Sequence, residues 1–187
     1  MKLYLIRHGM TAANEKRLYC GSTDVPLSEN GAKLLQALKL SRAYPDPSGK
    51  RLISSGMLRC EQTLSILFGD APHEAIKELS EIDFGAFELH SYEELKNDPD
   101  YLNWITDAAS IPTPGGESGN MMKARVLGAF DKITARGEDA IIVTHGGVIA
   151  AFMERLFPGA RANRYEWQPR HGEGFEVDLE KREFRAI

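Results

Sequence analysis

Cysteine is nearly absent from this chain, and so is any excess of positive charge. Two cysteines, Cys20 and Cys60, in 187 residues cannot build a disulfide scaffold. With no basic-then-apolar segment at Met1, they point to a reduced, cytoplasmic protein without disulfides. A net charge of −4 and a pI near 5.8 argue against nucleic-acid and membrane-surface partners, which call for a basic field. No apolar run approaches the ~20 residues of a spanning helix. Any anion site must therefore be local.

Several common catalytic signatures are missing as well. There is no Walker loop and no G-x-S-x-G elbow. A thiol-based phosphoryl transfer needs arginine six places after the cysteine, but Cys20 is followed there by Pro26 and Cys60 by Ile66. Asp98-Pro99-Asp100 resembles a paired-aspartate motif yet lacks the apolar strand that should precede it. The histidines and cysteines do not have zinc-finger spacing.

What is present reads as α/β. At 42% hydrophobic, the chain can bury one core, so a single domain over residues 1–187 is expected. Lys2 to Ile6 is a first strand. Ser28 can cap a helix running to about Leu40, with Leu34, Leu35 and Leu38 on one stripe. A loop, Tyr44 to Gly49, precedes a strand Arg51–Ser54 and a helix Met57 to Phe68. About residues 88–115 form a helical insertion, irregular from Ser91 to Ala109 and ending near the loop Ile111 to Gly116. A long helix spans Glu117 to about Ala135. Ala140-Ile141-Ile142-Val143-Thr144 has the continuous apolar, β-branched character of a central parallel strand, and Gly147 to Phe157 returns as a helix.

Polar residues gather where these strands end. Arg7-His8-Gly9 follows the first strand, Ser54-Ser55 leads to Arg59 after the second, and His145-Gly146 follows the strong one. In an open α/β sheet, ligands collect outside the carboxyl ends of the strands, near helix N-termini that favour anions. If the three strands are neighbours, two arginines and two histidines share a pocket. A neutral imidazole, with an unperturbed pKa of about 6.5, is a competent nitrogen nucleophile, and guanidinium binds a phosphoryl group through two oxygens. Two guanidiniums also repel a divalent cation, so His8, His145 and Glu81 are a poor zinc set. Arg170-His171-Gly172 repeats the tripeptide behind Gln168-Pro169 and reads as a loop before Gly174-Phe175-Glu176-Val177; coincidence is the favoured reading, and a contact of His171 or Arg170 with the substrate stays open.

Ordered motifs extend these observations. They are Leu5-Ile6-Arg7-His8-Gly9-Met10-Thr11 with Asn14, then Gly21 to Gly31, then Ser54-Ser55 with Leu58-Arg59 and Gln62-Thr63. Glu78 to Gly85, Gly115-Gly116-Glu117-Ser118 and Val143-Thr144-His145-Gly146-Gly147 complete the series. The set resembles the histidine phosphatase superfamily, also called phosphoglycerate mutase-like, over nearly the whole chain. The resemblance implies a three-layer α/β sandwich with a mostly parallel central sheet and helices on both faces. It implies a phosphohistidine formed on His8, with Arg7, Arg59, His145 and Asn14 around the phosphoryl group and no metal or other cofactor. It also implies that Glu81 is the general acid and base, a role that would not single it out among 27 acidic residues without the resemblance. Cys20, Gly21 and Gly146 are carried as further phosphate- or substrate-binding candidates. Met10, Gly56 and Cys60 depart from the usual family residues without removing a catalytic group, and Cys20-Gly21 and the segment Phe87 to Trp104 are the candidates for the rim of the pocket.

Within the family, the chain lacks the long insertion that phosphoglycerate mutases carry after the general acid, which favours water as the acceptor. The stretch from Phe84-Gly85 through Trp104 to Thr113 resembles α-ribazole phosphatases. The expected activity is a phosphomonoesterase acting on small phosphorylated metabolites, with α-ribazole 5′-phosphate as a candidate. Two alternatives stay open, a phosphoglycerate mutase and a non-catalytic phosphate-binding module. The sequence leaves the oligomeric state undetermined.

Overall fold

In the computed structural model, residues 1–41 and 44–187 are described. Six strands form one sheet: β1 (Lys2–Arg7), β2 (Arg51–Ser54), β3 (Glu74–Ala75), β4 (Ala140–Thr144), β5 (Gly174–Asp178) and β6 (Glu183–Ala186). Their order is β3-β2-β4-β1-β5-β6. The first four run parallel, and β5 and β6 add an antiparallel edge. The helices are α1 (Ala12–Glu15), α2 (Glu29–Ser41), α3 (Leu58–Phe68), α4 (Tyr92–Leu95), α5 (Pro99–Trp104), α6 (Gly119–Thr134) and α7 (Gly146–Leu156).

Side-chain alternation along the strands divides the core into two halves. Leu3, Leu5, Ile53, Ala140 and Ile142 pack with α6 and α7 residues such as Val126, Phe130, Val148 and Phe152. The intervening Tyr4, Ile6, Leu52, Ile141 and Val143 pack with Leu35 of α2 and Cys60, Leu64 and Leu67 of α3. The result is the expected three-layer sandwich. Every residue of β4 is buried, which is why its sequence is apolar on both faces. Truncating a fully buried side chain such as Leu64 to alanine costs about 2–5 kcal/mol.

Element boundaries moved where capping chemistry decided them. The long helix starts at Gly119 rather than Glu117, because the Ser118 side chain accepts from the Met121 amide and closes the N-terminus. Ser28 caps α2 by accepting from the Gly31 amide at 2.9 Å. Asp98-Pro99-Asp100 is the start of α5, with Asp98 accepting from the Asp100 and Tyr101 amides and proline in the first turn. The short edges β3 and β6 were not anticipated: they span two and four residues and are largely exposed, too short for a periodic signal. Around α4 and α5, Phe87, Leu95, Tyr101 and Trp104 form a separate aromatic cluster against Tyr19 and Phe84. Among the described residues, no helix is long and apolar enough to cross a membrane.

Candidate active site

Strand register brings the three polar clusters into one row. Arg7 pairs with Thr144, and Ser54 with Val143, so β1, β2 and β4 end side by side and their following residues surround one pocket. His8, Ser55, Arg59 and His145 are all buried there. The His8 and His145 rings lie 5.1 Å apart between centroids.

Hydrogen bonds fix which nitrogen of each histidine is available. His8 Nδ1 lies 2.7 Å from the carbonyl oxygen of Gly9. A carbonyl can only accept, so Nδ1 carries the proton and Nε2 keeps its lone pair. For His145, Arg59 Nε donates to Nδ1 at 3.3 Å, so Nε2 holds the proton and donates to Ser55 Oγ at 2.9 Å. Burial lowers the pKa of both rings well below the ordinary imidazole value. The charge of Arg59 adds to this at His8, and the neighbouring His8 ring, which competes for the same proton, and the charge of Arg59 add to it at His145. Both imidazoles are therefore neutral near pH 7.

The arginines are held by backbone carbonyls. Arg59 is 1% exposed, an unusual position for an unpaired charge; its Nη1 and Nη2 donate to the carbonyls of Thr23 (2.9 Å) and Gly21 (2.6 Å). Arg7 Nη1 donates to the Pro169 carbonyl at 2.9 Å, while its buried Nε has no partner among the described residues. No carboxylate bonds to either guanidinium among those residues, so both retain capacity for an external oxyanion.

Gly21 reaches the site through its carbonyl. Its amide is already committed to Glu88, whose carboxylate also accepts from the amides of Ser22, Thr23 and Phe84. A Cβ at Gly21 would lie 1.6 Å from the Ile82 oxygen, so only glycine lets these two loops meet. Cys20 is half-buried beside them, with burial raising its thiol pKa, and its Sγ lies 3.9 Å from the Thr23 oxygen. Cys60 is fully buried behind the site, and burial pushes its pKa up to about 12, so it stays an unreactive thiol.

The first turn of α7 seats the remaining groups. At Gly146 an added Cβ would meet Arg7 Cζ at 3.1 Å, and at Gly147 it would meet Glu81 Oε1 at 2.4 Å. The glycine pair thus gives room to one cation and one carboxylate. Glu81 accepts from the Gly147 amide at 2.9 Å and from the Ile82 amide at 3.1 Å. Its segment is anchored from below by Arg125, whose guanidinium donates to the carbonyls of Glu78, Ser80 and Glu81 and pairs with Glu117 at 2.7 Å. Neither Arg125 nor Glu88 carries a sequence signal for these roles; for Glu117, only its place in the Gly-Gly-Glu-Ser motif signalled it.

Asn14 turns Oδ1 back to the Thr11 amide at 3.0 Å, in a capping box that starts α1, which leaves Nδ2 as the donor of its side chain. It lines a cleft beside the pocket with Arg7, Tyr19 and His171. Proximity of His171 corrects the reading of the second tripeptide as coincidence: its ring lies 5.3 Å from that of His8. The repeated Arg-His-Gly was the only signal in the sequence. Among the described residues, no group of three or more histidine, cysteine or acidic side chains gathers as a metal site.

Known proteins resemble the chain over most of its length. Residues 3–186 match the histidine phosphatase superfamily (branch 1). An adenosylcobalamin/alpha-ribazole phosphatase of Salmonella typhimurium is 28% identical over 96% of this chain and 91% of its own length. A crystal structure of the alpha-ribazole phosphatase from Shigella flexneri superposes with a TM-score of 0.85 at 25% identity, covering 100% of this chain and 95% of that one. A structure described as phosphoglycerate mutase from Thermus thermophilus gives 0.73 at 30% identity, covering 95% and 93%.

Proposed function

The chain belongs to the histidine phosphatase superfamily, and from that premise we propose that it is a metal-independent phosphomonoesterase working through a phosphohistidine on His8. The observation that carries this reading is the bond from His8 Nδ1 to the Gly9 carbonyl, which leaves Nε2 as an unprotonated nucleophile beside two guanidiniums. The Nε2 lone pair attacks phosphorus, and the ester P–O bond breaks. Arg7, Arg59 and Asn14 donate to the equatorial oxygens, where developing charge is stabilised, and His145 joins them by exchanging its Nε2–H bond to Ser55 Oγ for one to the phosphoryl group. Glu81, as the acid, protonates the departing alkoxide. The resulting carboxylate then takes a proton from water, whose oxygen attacks phosphorus; the P–N bond breaks and its electron pair returns to Nε2.

The α-ribazole phosphatases similar to this chain make α-ribazole 5′-phosphate the first ester to test. Release of phosphate from it and from p-nitrophenyl phosphate, in the presence of EDTA, is the expected result. No release from either between pH 5 and 8 overturns the reading in favour of a binding module. A coupled assay showing conversion of 3- to 2-phosphoglycerate without net phosphate release would establish the mutase instead.

A further inference from the structure

His171 is the one histidine beside the pocket that the proposed chemistry leaves unused. It is held on a strap tied to β1 at several points. The Arg7 amide donates to the Glu173 carbonyl at 2.9 Å, and the Gly172 amide donates to the Arg7 carbonyl at 3.0 Å. Tyr44 Oη donates to the Gly172 carbonyl at 2.6 Å. Gly172 itself has a φ of 80°, which lets the strap turn back at this point. The side chain is thereby pre-positioned.

The ring's own bond determines what it offers. Nδ1 lies 3.1 Å from the carbonyl oxygen of His8 and must donate to it. Burial and the charge of Arg7 bring the His171 pKa down to about 4, so near neutral pH the ring is uncharged and Nε2 is a bare acceptor. The adjoining cleft, about 380 Å³, is lined by His171 with Arg7, Asn14, Arg17, Tyr19 and Tyr92, and by no carboxylate. A cationic donor such as an ammonium is disfavoured there by the two guanidiniums. A hydroxyl fits, because it can donate to His171 Nε2 while accepting from Asn14 Nδ2 or Arg17.

We infer that His171 is a specificity-determining residue whose Nε2 accepts a hydrogen bond from a hydroxyl of the leaving alcohol, so that phosphate esters of polyols are favoured over simple alkyl esters. This rests on the phosphatase reading and names the substrate class of the same site. Nothing in it requires His171 to take part in bond making.

A matched pair of esters tests it: glycerol 1-phosphate and 1-propyl phosphate share a carbon skeleton and differ in two hydroxyls. The protein should favour the glycerol ester by about fivefold to tenfold in kcat/KM, the worth of one neutral hydrogen bond. In His171→Asn, the amide can stand where Nδ1 stands and keep the bond to His8, but nothing reaches the Nε2 position; the ratio should collapse towards one. In His171→Gln, the amide oxygen reaches the Nε2 position, and the ratio should be retained. A purely structural role predicts the reverse order for the two variants, and that order, or an unmodified protein with no preference, overturns the assignment. Turnover of p-nitrophenyl phosphate, measured alongside, reports the chemistry separately. Its absence overturns the phosphatase reading, whereas turnover without hydroxyl preference overturns only the role of His171.

Discussion

The same tripeptide, Arg-His-Gly, occurs twice in this chain, and the two copies are put to different uses within one pocket. Arg7-His8-Gly9 leaves the end of a buried parallel strand; Arg170-His171-Gly172 sits in a strap between the 3₁₀ turn at Arg164–Trp167 and β5. Both imidazoles commit Nδ1 to a carbonyl, His8 to its own neighbour and His171 to His8. What differs is the company of the free nitrogen. His8 faces Arg59 and His145, the groups suited to an oxyanion, while His171 faces a cleft of amide, phenol and guanidinium. Residue identity therefore supplies a nitrogen lone pair in each case, and the surrounding elements decide whether it meets phosphorus or a hydroxyl.

The comparison breaks most sharply at the nucleophile. His8→Ala should lower turnover of p-nitrophenyl phosphate by more than about a thousandfold, the scale seen when a catalytic nucleophile is removed, with the cooperative unfolding transition still present. Mass spectrometry of the trapped intermediate should place the phosphoryl group on the peptide containing His8; a label on the peptide containing His171 would reverse the assignment of the two copies.

The next effect belongs to Glu81. Glu81→Gln should slow alkyl esters by roughly 10²–10⁴, the usual contribution of acid catalysis, and activated aryl esters much less. Equal losses on both ester types would make Glu81 a positioning group. That measurement also sharpens the comparison, since His171 is offered as a contact to the alcohol and not as its proton donor.

A smaller loss is expected from the loop that seats Arg59. Glu88→Ala removes the acceptor shared by the amides of Gly21, Ser22, Thr23 and Phe84, and these loops carry the carbonyls that hold the Arg59 guanidinium. Inhibition by vanadate should weaken by about tenfold, the scale of one charge-assisted hydrogen bond. Unchanged vanadate affinity would show that Arg59 keeps its place without the loop.

The mildest effect is on stability in acid. The folded-state pKa of His171, about 4, lies below the ordinary value of about 6.5, so the unfolded chain binds a proton that the folded one refuses. Stability from this group is complete above pH 6.5 and is lost as pH falls from there towards 4. The Tm of His171→Asn should fall less steeply over that window than that of the unmodified protein; parallel slopes would remove His171 as a contributor. His8 and His145, shifted in the same direction, will destabilise both proteins in acid.

Much of this site was readable from residue order because each strand delivers its polar cluster by local chemistry. An apolar run followed by Arg7-His8 or His145-Gly146 marks a strand end wherever the strand lies, and the ordered motifs tie those ends to one family. Glu88 and Arg125 were not readable, since their importance comes from backbone carbonyls and amides of distant segments. Nothing in a glutamate four residues after Phe84 announces that it will gather the amides of residues 21–23.

The sequence by itself determined the types of the main strands and helices, the central character of Ala140–Thr144 and the identity of the residues at the three strand ends, because periodicity, capping and β-branching act over a few neighbouring residues. Tertiary structure alone decided that β2, β4 and β1 lie in that order, which imidazole nitrogen is free, and that His171 stands beside His8. Those outcomes depend on pairings between segments up to 163 residues apart, and side-chain tautomer and direction follow from partners that only the folded chain supplies.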